Sequence, residues 1–472
     1  MNKLSKINDY KMSTRRNFIK KAGLMTLSAT TPVFAAGMAS EKDKTLSLRK
    51  SKITLNDGWD VIVVGGGPSG CAAATAAARE GARTLLIEGA GALGGMGTSG
   101  LLNAWCPFTD HEKIIYKGIA ERVFLEAKKG VPHDAGNDWI AINAEYLKLV
   151  YDDLVCSQGV SVLLFTTMAG IEMKENGVVD AVIVANKLGL TACRSKVFVD
   201  CTGDGDLAAW AGADFVMGDE NGTVQQGTLC FSVSNIDSYQ YALAGSVHNS
   251  RADSPAHAIA QSDKYDLVKD NHMNDHLTGP ATLTFNAGHV TVNSLNPVSL
   301  TESMMRGRKL VRQLHEGMKE FRPEIFAASH LSATGALLGI RESRRIKCDY
   351  TFSLEDWLQR RSFEDGIGRN AYYIDIHIQD AAQYPPYGKG ESHGIPYRCL
   401  TPTGLKNVLV AGRCISTDHY AYGSLRVMPP CLVTGEAAGM AAVHALQRTK
   451  NDVHQIDVPY LRKRLKEEGL YL

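Results

Sequence analysis

Short β-branched runs alternate with alanine-rich and amphipathic stretches through the first half of the chain. Asp60–Val64 and Arg83–Ile87 are apolar enough to be buried on both faces, which predicts parallel strands. Between them Pro68 to Glu80 is nearly all alanine, the composition of a helix lying close on a sheet, with proline in its first turn. Asn143 to Gln158 has the spacing of an amphipathic helix. Apolar runs at 160–165, 171–174, 178–185 and 191–199 follow, and Asn176-Gly177 reads as a hairpin turn. A helix, a strand and a small antiparallel meander are therefore expected before the chain returns to the main sheet at Val197–Asp200. From about 214 to 395 the glycine-rich pattern disappears. A helix is predicted there from Thr301, with Ser299 and Glu302 in capping-box spacing. Lys406–Ala411 then reads as a strand and Pro429–Leu446 as a helix whose Gly435, Ala437, Ala438 and Gly439 should pack closely on the sheet.

Chemistry enters at the turn after the first strand. Gly65, Gly67 and Gly70 are spaced GxGxxG: the first permits the turn, the second lets a pyrophosphate approach the backbone, and the third lets the helix lie close to the strand. The helix amino end at Pro68 and Ser69 offers N–H groups and positive dipole to phosphate. Ala74 and Gly81 extend the pattern, and Glu88 closes the second strand eighteen residues after Gly70, where an acid binds ribose hydroxyls. A carboxylate there disfavours a 2′-phosphate, leaving FAD or NAD. Residues 89–100 carry six glycines and no charge, and Gly94, Gly95 and Gly97 would let backbone N–H groups meet a pyrophosphate or ring edge. Gly203-Asp204-Gly205 imitates a second dinucleotide turn, but Asp204 and Asp206 would repel a pyrophosphate and no strand with a terminal acid follows. Arg341, Arg344 and Arg345 read as an ion-paired structural cluster in preference to an anion site.

Length allows two or three domains, and 51 basic against 50 acidic residues leave no electrostatic footprint for nucleic acid. Ten scattered cysteines form no CxxC pair and no Cys/His cluster at ligand spacing, so no metal site is expected. At the amino end Ser13-Thr14-Arg15-Arg16-Asn17-Phe18-Ile19-Lys20 and the uncharged stretch Ala22–Ala39 resemble a twin-arginine export signal, which implies the export machinery as partner and a periplasmic or exported destination. Export of a folded chain suits a tightly bound FAD over a diffusible NAD.

VVGGGPSGCAAA, GGMGTSG, FVDCTGDGDLAA, GIRESRRI and the long run from IPYRCL to EAAGMAA together resemble the FAD-dependent oxidoreductases of the glutathione-reductase-like superfold. The resemblance implies an α/β fold: a Rossmann-like FAD-binding domain with parallel sheet and β-meander at 58–213 and 397–450, and an inserted α+β substrate domain at 214–396. A signal peptide at 1–39 and a helical tail at 451–472 complete it. It places FAD's pyrophosphate at Gly65–Gly70 and its ribose at Glu88. It also places Gly203, Asp204, Gly412 and Arg413 along the cofactor, and Val427 and Met428 at the flavin edge. The implied activity is hydride transfer between FAD and a small polar substrate (sugar, polyol, or hydroxy or unsaturated acid), with a separate electron donor or acceptor; a non-redox flavoprotein and an NAD-dependent dehydrogenase are the alternatives. The order His393, strand, Gly412, Gly423, Arg426 is similar in layout to fumarate reductases and aspartate oxidases. His393 or His419 is accordingly expected as acid/base, His393 first, with Arg426 beside it.

Overall fold

The computed structural model describes residues 53–175, 177–378 and 384–472. The segment at 1–39 that resembles an export signal, with Arg15 and Arg16, lies outside them, as does Asn176 of the expected hairpin turn.

The main sheet is built from β1 (Thr54–Val64), β2 (Thr84–Ile87), β3 (Ser161–Leu163), β4 (Thr167–Glu175), β5 (Val178–Asn186) and β6 (Gly189–Asp200) in the order β3-β2-β1-β6-β5-β4, with Val408–Val410 added on β6. β3, β2, β1 and β6 run parallel, as does Val408–Val410, whereas β4, β5 and β6 pair antiparallel. β6 joins the two parts: its first half pairs with β5, and Phe198–Asp200 pairs with Val408–Val410. The meander is thus continuous with the parallel sheet. The run at 160–165 forms the strand expected between the helix and the meander: it is β3, on the far edge beside β2, where the Ala144–Cys156 helix delivers it. Asn143 caps that helix, its side chain accepting from Tyr146 N–H.

The alanine helix Pro68–Arg79 is buried from Ser69 to Ala77 because the long helix Met428–Arg448 covers it. A Cβ at Gly435 would lie 2.2 Å from Ser69 O, and one at Gly439 would lie 2.1 Å from Ala73 O. The small residues expected to meet the sheet are therefore spent first on a backbone-close crossing of two helices, four residues apart on one face. The helix Val458–Glu467 docks on the same core through Leu461 and Leu465, and Arg464 pairs with Glu80 at 2.7 Å. The carboxyl end is packed structure.

A second apolar core spans Leu229–Leu338. Its four-stranded antiparallel sheet runs His330–Thr334, Phe231–Ser234, Thr282–Ala287, Met273–Gly279, and Leu310, Val311, Leu314 and Met318 of the helix Pro297–Phe321 pack with it. That helix begins four residues before the expected Thr301. Asn296 accepts from Val298 and Ser299 N–H and Pro297 opens the first turn, a stronger start than the Ser299/Glu302 pair. Ile346, Phe352, Trp357, Ile367 and Ile395 leave this core and pack into the first. No helix among the described residues is long and apolar enough to cross a membrane.

Candidate functional site

Both helix amino ends and the glycine loop converge above the carboxyl edge of the parallel strands. Gly65 takes φ +98°, where a Cβ would sit 2.3 Å from Cys201 O, and a Cβ at Gly70 would collide with Gly65 O at 1.7 Å. Gly67 differs: nothing of the protein lies within 4 Å of where its Cβ would be, and no side chain caps the helix it precedes. The protein leaves this position open and its first-turn N–H groups unclaimed, as a pyrophosphate requires. Glu88 is held by backbone, Oε2 accepting from Gly66 N–H and Oε1 from Ala90 N–H at 2.6 Å each. Each oxygen keeps a second lone pair for a ribose hydroxyl.

Gly94 N–H donates to Gly66 O at 2.8 Å, and a Cβ at Gly95 would lie 3.2 Å from Gly67 Cα. A Cβ at Gly97 would meet Met428 Sδ at 3.0 Å, so the loop spans the two helix amino ends. Val427 caps the second of these without a side-chain bond. Gly412 closes on the first helix, its would-be Cβ 2.5 Å from Ser69 Oγ. Gly203-Asp204 is tied to the return segment by Arg413, whose Nη2 donates to Asp204 Oδ1 at 2.6 Å. Burial opposes the charge on Arg413, but Asp204 outweighs it and holds the guanidinium above its ordinary range. Arg413 Nη1 and Tyr422 Oη are buried with no partner in the protein. Orphaned donors beside an open glycine turn fit a bound, oxygen-rich dinucleotide. The turn at 203–205 runs into a helix of five residues, Asp206–Trp210, whose Asp206 pairs with Arg344 at 2.6 Å. It makes no second phosphate cradle.

The three expected catalytic residues separate. His393 is fully buried and stacked on Phe352 at 4.5 Å. Its Nδ1 donates to Gly394 O and its Nε2 accepts from Asn370 Nδ2, both at 3.0 Å. Tyr116 donates to Asn370 Oδ1 at 2.5 Å and so fixes which way that amide points. Protonating Nε2 would set two donors against each other. Burial, partly offset by the Gly394 carbonyl, lowers the ring to about 3. With neither nitrogen available, His393 is a structural strut and the expectation of an acid/base there is corrected. His419 bonds Glu342 through Nδ1 at 3.0 Å, in the network that pairs Glu342 with Arg345, and its Nε2 is buried without a partner. Arg426 alone reaches a reactive cluster, its Nη2 donating to Asp375 O at 2.9 Å and Oδ2 at 3.0 Å.

That cluster is the part sequence reasoning missed. Asp375 Oδ1 lies 3.0 Å from His377 Nε2, and Tyr372 Oη is 3.4 Å from Asp375 Oδ2. Burial pushes Asp375 up, but Arg426, His377 and Arg341 outweigh it and hold the carboxyl well below its usual range. Burial and then Arg341 lower His377 to about 4. Burial, partly offset by Tyr372, raises Cys106 to about 12, and burial lifts Tyr372 well above a free phenol. Of the three arginines in GIRESRRI, Arg344 and Arg345 are ion-paired as expected. Arg341 is not: it is buried, donates to Gln226 O, Thr228 Oγ1 and Asn286 Oδ1, and no carboxylate reaches it among the described residues. Burial and the neighbouring Arg426 charge lower it to about 10. The alternation Tyr372-Tyr373-x-Asp375-x-His377 was the available signal.

Among solved structures the chain is similar to p-nitrophenol 4-monooxygenase from Pseudomonas putida (12% identity over 89% of this chain and 90% of that one, TM-score 0.45). It is also similar to a geranylgeranyl bacteriochlorophyll reductase-like protein from Thermoplasma acidophilum (14% identity, 88% and 83%, TM-score 0.40). A flavin-dependent brominase matches at 11% identity, 87% and 83%, TM-score 0.42. The family described as FAD dependent oxidoreductase matches residues 60–465, and the chain belongs to it.

Proposed function

We propose that this FAD-dependent oxidoreductase is exported and acts on a small carboxylate-bearing substrate, a 2-hydroxy acid or an unsaturated acid and its saturated partner. Arg341 carries the proposal. A buried guanidinium has five N–H donors, and three neutral acceptors neither use them all nor balance its charge. A substrate carboxylate would do both, in the bidentate geometry arginine favours. Gly65–Gly70, Glu88, Gly94, Gly95, Gly203, Asp204, Gly412, Arg413, Val427 and Met428 would hold FAD, which supplies a two-electron centre that takes or gives a hydride. As the substrate carbon gives up its hydride, the proton released from the adjacent carbon or hydroxyl passes to the Asp375–His377 pair, in which His377 is the stronger base; in the reverse direction the pair returns it. Arg426 keeps Asp375 ionised and aimed. Tyr372 and Cys106, both protonated, are donors for a substrate oxygen and do not compete for the proton. A separate electron donor or acceptor completes turnover.

In this reading residues 58–213 and the return segment to 450 hold the cofactor, and the inserted core at 229–338 sets substrate choice. The twin arginine at Arg15-Arg16 supports export. The test is an anaerobic screen of the yellow protein, following flavin absorbance with 2-hydroxy acids, saturated dicarboxylates, sugars and polyols, and the dithionite-reduced protein with unsaturated acids. Bleaching or reoxidation by the acids is expected; a response to neutral sugars or polyols alone would overturn the carboxylate assignment.

A further inference from the structure

His272, His289 and His377 come from three separated parts of the chain and bring ring nitrogens within 4.8 Å of one another. Their hydrogen bonds leave a specific deficit. Asp270 Oδ2 lies 3.0 Å from His289 Nδ1, and Asp375 Oδ1 lies 3.0 Å from His377 Nε2. A carboxylate only accepts, so neutral His289 spends its one N–H on Asp270 and turns Nε2, a lone pair, toward His377 Nδ1 at 3.0 Å. A single proton on His377 Nδ1 would serve these two nitrogens, yet a third is present. His272 is stacked on His289 (4.3 Å between centroids, 18° between planes), and its buried Nδ1 has no partner.

We propose that these three histidines bind a divalent first-row metal ion of the kind imidazole favours, such as zinc. Two nitrogens 3.0 Å apart subtend ~90° at a metal about 2.1 Å from each, the angle of neighbouring ligands in an octahedral or five-coordinate ion. Opening that gap to ~3.4 Å gives the tetrahedral angle zinc prefers. Asp270 and Asp375 have the place that carboxylates take behind metal-bound histidines, fixing the tautomer and adding negative charge. That charge offsets Arg341, the cation that faces His272 and His377. Three protein ligands leave coordination positions open on the metal. An ion there would draw a substrate oxygen to the cluster; this last role rests on the proposed reaction, whereas metal binding does not.

The test uses the flavin-loaded protein, stripped with chelator and dialysed against zinc sulfate, with metal per flavin read by mass spectrometry. One zinc per flavin is expected. His289→Ala should weaken binding by at least 100-fold, and Asp270→Asn by about 10- to 100-fold while keeping every ligand. His315→Ala, outside the cluster, should bind as the wild type does. Unchanged flavin content shows that each variant is folded. A wild-type protein that holds no zinc, or an Asp270→Asn and His289→Ala pair that bind it normally, overturns the site whatever the substrate screen shows.

Discussion

Replacing His393 with leucine tests whether that residue is a strut or a catalyst. In the folded chain its ring is held neutral, with Nδ1 donating to Gly394 O and Nε2 accepting from Asn370. Its affinity for a proton falls from the ordinary 6.5 to about 3. A base whose folded value is depressed binds fewer protons folded than unfolded, so the stability it contributes is present above pH 6.5 and lost as the pH falls toward 3. Each pH unit well below 6.5 costs about 1.4 kcal/mol, so between pH 8 and 4.5 the wild type should lose roughly 2.7 kcal/mol through this ring alone. Leucine cannot be protonated. At pH 8 the variant should be less stable by about 1–3 kcal/mol, because Asn370 Nδ2 loses an acceptor. By pH 4.5 that deficit should shrink by roughly 2.7 kcal/mol. Urea unfolding of both proteins at pH 8.0, 6.5, 5.5 and 4.5, with other titrating groups cancelling in the difference, measures it. A gap that stays constant across this range would refute the buried neutral histidine.

Three further outcomes are expected. Gly67→Val should fold and melt as the flavin-stripped wild type does but retain no flavin, because the protein leaves that space empty; full flavin content would remove the pyrophosphate from this turn. Gly435→Val should lower stability by about 1–3 kcal/mol or more, since its Cβ would strike Ser69 O, and calorimetry showing no loss would contradict the helix crossing. Replacing Arg15 and Arg16 by lysine should leave the protein cytoplasmic yet folded and yellow, and normal export in fractionated cells would dismiss the signal.

The strand-turn-helix-strand unit proposed to cradle the cofactor was legible in the sequence because each of its parts is local. Gly65, Gly67, Gly70 and Glu88 lie within one strand-turn-helix-strand unit, where spacing fixes geometry. The helix entered at Asn143 was legible for the same reason. Pairing between distant segments was not. β3 looks like any short apolar run, and only the edge left by β2 decides where it pairs. Gly435 and Gly439 announce a close approach without naming the helix they meet. His393 was misplaced because order along the chain says nothing of burial, and Phe352 and Asn370, which seal it, lie in two other segments. The reactive cluster joins Asp375 and His377 to Arg341, Arg426, His272 and His289, which no spacing rule connects. Histidines that meet only through the tertiary fold leave no ligand spacing in the chain.

The placement of proton exchange at the Asp375–His377 pair is tested most directly by anaerobic stopped-flow reduction of the flavin, using the substrate that the screen identifies. Wild type, Asp375→Asn and His393→Leu are compared at pH 8, where all three are folded. Asp375→Asn should keep its flavin yet be reduced at least ~100-fold more slowly, the size of a lost acid/base, while His393→Leu should be reduced at the wild-type rate. Reduction of Asp375→Asn at the wild-type rate, or a slow His393→Leu with normal flavin content, would contradict this account.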